Sequence, residues 1–374
     1  MHLIQFTRQK PPGFGGVERI ANDISNFALS KSIKVFNIYF SNSNKCLEKT
    51  NYVNLKLNLH LLVKIKKILK RNSKLNKNKF IFIFHLPSIS NFLFYVILRL
   101  LYSKYKFIIY WHCFITHRNP LIKICFKLYQ FSAIKIFSFF NTELITTSPI
   151  LKKELNLNGI NLEKIHILPC CISDKEEKFL LKNQCLNKST SAQKFNLIFI
   201  GRLCDYKKVD WIFKIMKDRK YINLDIIGTG KNSKKYRYIV NKLGIKERVQ
   251  FHGRLDDLEK LKILKESDVL ILSSTTPNEA FGIVQLEAMA AGVVPIATHI
   301  EKSGVSWVGN ISSFLNFGII DKQRLGKIID KLWLEKDIFQ SCKIYSKKRY
   351  LKRFSRECWE DNIKNYFNKI IFKN

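Results

Sequence analysis

Acidic side chains are scarce in this chain of 374 residues: 29 Asp and Glu stand against 65 Lys and Arg, a formal net charge of +36. From Lys49 to Thr142 there is no acid at all, while 17 Lys and Arg occur. A coding bias toward Lys, Ile, Asn and Phe raises the basic count, but it does not empty a long stretch of acids. Uncharged apolar runs of about 18 residues are also missing, so a membrane-spanning helix is not expected. The most hydrophobic segment, Phe92 to Tyr102, is too short to span and carries Arg99. The first residues, Met1 to Phe6, lack the basic, apolar and small-residue phases of a signal peptide and read as a strand. Nine cysteines are scattered without a Cys-x2-Cys pair, which signals neither a disulfide framework nor a zinc site and fits a reducing cytoplasm. An aromatic RNA-binding signature is missing as well, so the basic charge is not read as nucleic-acid binding, although a basic nucleic-acid-binding protein is the non-enzymatic alternative.

The charge is uneven. Residues 1 to 170 hold 26 basic and 6 acidic side chains. A field of that sign attracts anionic lipid or phosphorylated ligands. Residues 60 to 71 place Leu62, Ile65 and Leu69 on one helical face with Lys64, Lys67, Lys70 and Arg71 around it. Such a helix lies at a membrane surface or packs on a sheet; the missing acids favour the membrane. Residues 91 to 102 and 121 to 139 add further basic and apolar helical faces.

What is there is an alternation of short apolar runs with helical stretches, long enough in total for two domains of ordinary size. The most informative run is Ser273-Ser-Thr-Thr-Pro-Asn-Glu-Ala-Phe-Gly-Ile-Val-Gln-Leu-Glu287, preceded by the buried-strand pattern Asp268 to Ser273. A helix is expected from near Gly282 to Ala291, with Gly292 at its end and a strand from Val293 to Ala297. Glu279 then lies in a loop and Glu287 inside a helix, on the order of 10 Å apart at roughly 1.5 Å per helical residue. Between them the helix start offers backbone N–H groups near Phe281, Gly282 and Ile283, which favour an anion such as a diphosphate. Carboxylates accept hydrogen bonds from hydroxyls, so the ligand suggested is a nucleotide sugar.

Upstream, the strand pattern Phe195 to Ile200 runs into Gly201-Arg-Leu-Cys-Asp-Tyr-Lys207, where Arg202 and Lys207 form a cation pair suited to a departing diphosphate. Gly228, Gly230 and Gly253 end two further strands; the first two are by themselves a weak hint of a phosphate loop. In the first half, Gly15-Gly16 opens a helix expected from about Val17 to Leu29, and two strands each end in a histidine, His85 and His112. In a parallel sheet such ends face the ligand crevice. Residues 173–194 are polar and read as the linker between domains 1–172 and 195–353.

The run Glu-Ala-Phe-Gly-x4-Glu-Ala-Met-Ala-x-Gly-x2-Pro-Ile-Ala-Thr closely resembles the Glu-x7-Glu signature of retaining nucleotide-sugar glycosyltransferases of family 4. The resemblance is strong over 195–298 and looser over 1–170. It implies a GT-B fold, two Rossmann-like doubly wound α/β domains facing a central cleft, with the C-terminal helix 354–371 packing back on the first. It also implies roles: Gly15 and Gly16 facing the donor diphosphate, Arg202 and Lys207 binding it, and Gly228, Gly230 and Gly253 flanking the base. Glu279 would hold sugar hydroxyls and Glu287 the ribose, with His112, and less so His85, by the donor sugar. Two stretches depart from the family pattern: Cys170-Cys-Ile-Ser173, where Asn-Gly is usual, and Ser303-Gly-Val-Ser-Trp-Val308, which resembles a surface-polysaccharide version. There is no Asp-x-Asp motif, so no catalytic metal and no cofactor are expected.

The expected activity is transfer of a hexose from a nucleotide diphosphate sugar to a lipid-linked glycan in O-antigen, capsule or lipopolysaccharide synthesis, with retention. The expected place is the cytoplasmic face of an anionic inner membrane. A nucleotide-sugar 2-epimerase of the same fold is the enzymatic alternative.

Overall fold

The computed structural model describes residues 1–9, 15–39, 52–54, 65, 80–182, 194–318, 321 and 323–372. The chain divides into two compact units, Met1–Cys170 and Cys171–Asn374.

The first unit is built on a seven-stranded sheet in the order β3-β2-β1-β4-β5-β6-β7, every recorded pairing parallel. Its strands are β1 (His2–Thr7), β2 (Lys34–Tyr39), β3 (Tyr52–Asn54), β4 (Phe80–Leu86), β5 (Lys106–Trp111), β6 (Glu143–Thr146) and β7 (Ile165–Ile167). The helices are α1 (Gly16–Ser30), α2 (Ile89–Leu101), α3 (Pro120–Phe139) and α4 (Pro149–Leu157). All seven residues of β4 are buried, as a central parallel strand covered on both faces requires. The register sets Phe6 opposite Phe84, and their rings stack at 4.4 Å, a contact of about 1 kcal/mol beyond simple burial. In α1 the buried positions Ile20, Ala21, Ile24, Phe27 and Ala28 follow the helical period and fix the face turned to the sheet.

The second unit has a six-stranded sheet in the order β10-β9-β8-β11-β12-β13, also parallel throughout. Its strands are β8 (Phe195–Ile200), β9 (Ile222–Ile227), β10 (Val249–Gly253), β11 (Val269–Leu272), β12 (Val294–His299) and β13 (Asn316–Gly318). Around them lie α5 (Asp174–Leu181), α6 (Asp210–Met216), α7 (Ser233–Lys242), α8 (Asp257–Glu266), α9 (Val284–Ala290), α10 (Val305–Val308), α11 (Gln323–Leu334), α12 (Lys336–Arg353) and α13 (Arg356–Phe372). A single apolar core joins Leu197, Phe199, Ile226, Ile271 and Ile296 of the sheet to Phe213 and Ile329 of the helices.

In each sheet the order reverses once, between β1 and β4 in the first and between β8 and β11 in the second. Open α/β sheets bind ligands at the carboxyl ends of the strands flanking such a reversal. Those ends carry residues 8–9 and 85–88 in one unit and residues 201–209 and 273–283 in the other.

One expectation is corrected. The polar stretch read as linker begins as α5, closed by a capping box in which Ser173 Oγ accepts from Glu176 N–H and Glu176 Oε2 accepts from Ser173 N–H. Leu180 buries its side chain, and the helix belongs to the second unit. The final helix, α13, groups with the second unit. Apart from Ile65, the basic helix expected at 60–71 lies outside the described residues, as do residues 183–193.

Candidate active site

In the second unit, β8 delivers the chain into Gly201 and a tight turn, Asp205–Lys207, followed by Lys208 in a left-handed conformation. That turn aims Lys207 at the loop after β11. Ser273 Oγ donates to the Lys207 carbonyl at 2.7 Å, and Thr275 N–H donates to the Tyr206 carbonyl at 2.8 Å. With the two loops stitched together, Lys207 Nζ forms an ion pair with Glu279 Oε2. Both side chains are largely buried. Ser274 Oγ also donates to Glu279 at 3.4 Å, and burial beside this carboxylate pushes the Tyr206 hydroxyl pKa up.

The acid loop is held from its other side too. Ser303 Oγ donates to the Glu279 carbonyl at 2.5 Å and Gly304 N–H to the Ala280 carbonyl at 2.8 Å, so the segment that departs from the family pattern serves as the loop's anchor. Gly282 has φ +73°, and a Cβ there would lie 2.5 Å from Leu272 Cδ2; only glycine takes that corner without strain. Gln285, buried under it, donates to the carbonyls of Phe281 at 3.0 Å and Val305 at 3.1 Å. Among the described residues the N–H groups of Phe281, Gly282 and Ile283 have no hydrogen-bond acceptor. A cation, an acid and three open amides thus meet at the reversal point of the sheet, an arrangement that can accept an anionic group beside a hydroxyl-bearing one.

The other predicted residues of this unit are placed as follows. Arg202 is exposed on the same loop as Lys207. Glu287 is not an open carboxylate: it is 2% exposed and takes an ion pair at 3.0 Å from Lys260 of α8, which also lies 3.7 Å from Glu176. Lys260 was not singled out from the sequence, because its partner lies on another helix. Gly228 and Gly230 are explained by backbone packing. A Cβ on Gly228 would stand 2.0 Å from the Gly201 carbonyl oxygen, and one on Gly230 would stand 2.3 Å from that of Leu203. Gly253, at φ +71°, accepts from Gly228 N–H at 2.6 Å. Gly228 and Gly230 let the turn after β9 lie directly on the loop that carries Arg202 and Lys207, and Gly253 ties the end of β10 to that turn.

In the first unit, His85 and His112 end β4 and β5 but do not play equal parts. His85 is fully enclosed: its Nδ1 lies 2.9 Å from His112 Nε2 and its Nε2 lies 3.0 Å from Gln5 Oε1 of β1. Asn91 at the start of α2 donates to the His85 carbonyl at 2.8 Å and to the Phe6 carbonyl at 3.1 Å, pinning both strand ends. Burial lowers the His85 pKa to about 3. It also drives His112 well below its usual value, aided by the neighbouring ring. Both imidazoles are neutral near pH 7, and the network fixes their tautomers. Gln5 Nε2 donates to the Ala21 carbonyl at 3.0 Å, so its Oε1 accepts from His85 Nε2–H. His85 Nδ1 is then the acceptor for His112 Nε2–H, and His112 keeps its lone pair on Nδ1. Gln5, missed in the sequence, sets the proton position on a ring two bonds away. His85 is enclosed between Gln5 and His112 and holds the His112 ring through Nδ1.

Gly15 precedes α1 without a side-chain cap. A Cβ there would lie 2.3 Å from Glu18 Oε2, because the Glu18 carboxylate folds back over the glycine. Burial raises the Glu18 pKa against the lowering effects of a backbone N–H and Arg8. Gly16 is the first residue of the helix.

Comparison with known proteins bears on these sites. Residues 183–349 match the family described as glycosyl transferases group 1. The chain is 27% identical over 202 residues, 52% of its length, to an uncharacterized 41.2 kDa protein in the cps region of Klebsiella pneumoniae. It is 31% identical over 107 residues, 28% of its length, to an uncharacterized glycosyltransferase of Methanocaldococcus jannaschii. The matches span 53% of the first relative and 27% of the second. Among solved structures, the Anabaena Alr3699/HepE protein in complex with UDP superposes with a TM-score of 0.73 at 16% identity, over 98% of this chain and 99% of that one. The lipopolysaccharide outer core galactosyltransferase WaaB superposes with a TM-score of 0.68 at 18% identity, over 100% and 99%. The chain therefore has the GT-B fold of two Rossmann-like domains, and the stretch that resembles the glycosyl transferases group 1 family lies almost wholly in its second unit.

Proposed function

We propose that the protein is a retaining glycosyltransferase of the family 4 type, moving a hexose from a nucleotide diphosphate sugar to a lipid-linked glycan in surface-polysaccharide synthesis. The observation that carries this reading is the Lys207–Glu279 pair beside the open amides of residues 281–283. As the glycosidic bond to the diphosphate breaks, negative charge grows on the leaving oxygen. Lys207, Arg202 and the amides stabilise it by electrostatics that need no rearrangement. Glu279 orients sugar hydroxyls. The acceptor hydroxyl attacks from the face the diphosphate leaves, and the departing phosphate takes its proton, which retains the anomeric configuration. With cations supplying the positive charge, no resident metal is invoked. In the first unit, His112, with Nδ1 open to accept, is suited to receive a hydrogen bond from a hydroxyl.

The neighbours lend support of a general kind. The HepE structure holds UDP, and WaaB is a galactosyltransferase acting on lipopolysaccharide outer core by its name. The cps-region relative points the same way. An acceptor on a lipid carrier would place the enzyme at the cytoplasmic face of the inner membrane; among the described residues no helix is long and apolar enough to cross one.

Incubating the purified chain with a panel of nucleotide diphosphate sugars and a lipid-linked acceptor, and reading products by mass spectrometry and anomeric NMR, tests the proposal. Product with the donor's anomeric configuration, lost in Glu279→Gln, is expected. Inverted product would end the retaining reading, and sugar isomers formed without acceptor would replace transfer by epimerisation.

A further inference from the structure

Helices α2 and α3 of the first unit touch through aromatic side chains, and each leaves large apolar side chains exposed. Between them Phe92 meets Tyr129 at 5.6 Å and Tyr95 meets Phe137 at 5.2 Å, while Ser88 N–H donates to Tyr129 Oη at 3.1 Å. Those contacts account for the inward aromatic residues. They leave the opposite side of α3 uncovered: Leu121 is 72% exposed, Leu128 61% and Phe131 58%. The spacing of Leu121, Ile124, Leu128 and Phe131 puts all four on adjacent turns, and Leu93, Ile97 and Leu100 of α2 are exposed at the same period. Monomeric proteins rarely leave so many large apolar side chains in water on one surface without a use for them.

The charge around this surface identifies what it meets. Lys123, Lys127 and Lys135 are exposed on α3 among the apolar residues, and Lys135 Nζ stands 5.5 Å from the Phe131 ring centroid, its stem along the apolar side chain. Neither helix contains an acid, nor does any residue from 49 to 142. A second copy of the chain pressed against the same surface would bring like charges together with nothing to neutralise them. An anionic bilayer complements both features at once, taking the apolar side chains below the headgroups and the ammonium groups among the phosphates. At 20 residues α3 carries three lysines, which suits a helix lying along a bilayer surface and not one crossing it.

We propose that the exposed surface of α2 and α3, centred on Leu121, Leu128 and Phe131 and rimmed by Lys123 and Lys127, docks the protein on an anionic lipid bilayer. The inference stands apart from the reaction, and its test needs no substrate. The full chain is co-sedimented with phosphatidylcholine vesicles with and without phosphatidylglycerol, at low and high salt. Binding is expected only with phosphatidylglycerol, and weaker in high salt. Each lysine near such a surface contributes about fivefold in affinity, so Lys123→Glu/Lys127→Glu should weaken binding roughly tenfold or more. Leu128→Ser/Phe131→Ser should do the same at unchanged charge. All four side chains are solvent-exposed, so circular dichroism melts of both variants should match the parent. Lys234→Glu/Lys235→Glu on α7 of the second unit is the matched control and should retain most binding. Equal losses in the control, unaltered binding in both α3 variants, or a parent dimer that these variants convert to monomer without vesicle binding would each overturn the proposal.

Discussion

Lys207 donates to Glu279 across 72 positions of sequence, and the contact exists because the loop after β8 and the loop after β11 share the point where the strand order of the second sheet reverses. Each residue is the other's counter-charge. A diphosphate would share Lys207, releasing Glu279 toward hydroxyl groups.

Lys207→Ala and Glu279→Gln should therefore each lower transfer about 100-fold or more, the scale of losing one group that stabilises developing charge. Removing the cation alone strands a carboxylate in a largely buried setting, so Lys207→Ala should also lose about 3 kcal/mol of stability. Lys207→Met combined with Glu279→Gln should recover most of that stability and none of the activity. Denaturant melts beside a product assay read both quantities. Retained activity in either single variant would remove the pair from the reaction.

Gly228→Ala should destabilise the second unit by roughly 2–3 kcal/mol, because the added carbon meets a backbone carbonyl that has nowhere to go. Gly253→Ala meets no atom within 4 Å and should lose only the smaller cost of a left-handed alanine, about 1 kcal/mol. Thermal melts of the two variants side by side check the ranking. A larger loss at Gly253 would contradict the packing role assigned to Gly228.

Acid should weaken the first unit. His85 has its folded pKa lowered to about 3 from an ordinary value near 6.5, so the unfolded chain binds more protons between these limits. Stability is full above about pH 6.5 and falls as the pH drops toward 3. Lowering the pH from 7 to 5 should cost about 2 kcal/mol through this group alone. A pH series of urea melts, with His85→Asn as reference, measures it; the variant should show a shallower slope over that range.

Gln5→Leu should release the proton on His112 from its fixed position. Nitrogen chemical shifts of the labelled imidazoles should show His112 protonated at Nε2 in the parent and a mixture of tautomers in the variant. If His112 turns a catalytically relevant nitrogen outward, kcat should follow the tautomer while the melting profile does not.

Much of the fold was legible because buried parallel strands announce themselves as apolar runs, as at Phe195–Ile200 and Val269–Leu272, and because Gly282 and Gly292 stand at the corners their backbones require. Lys207 and Glu279 were legible for the same reason: each follows such a strand closely. What was not legible depends on neighbours distant in sequence. Nothing local says that Gln5 lies beside His85, since that needs β1 and β4 to be adjacent, or that Lys260 reaches Glu287 from another helix. The α5 error was of another sort: Ser173-x-x-Glu176 is a capping signature visible in the sequence, and the lysines and glutamates after it masked the buried Leu180.

The acid-bearing loop is fastened at both flanks, to the carbonyls of Tyr206 and Lys207 on one side and by Ser303 and Gly304 on the other. A strap buckled at each end has little freedom left to surrender when an anion arrives, so the entropic toll of ordering it falls on folding and not on ligand capture. Loosening either buckle, by Ser273→Ala or Ser303→Ala, would shift that toll onto each turnover.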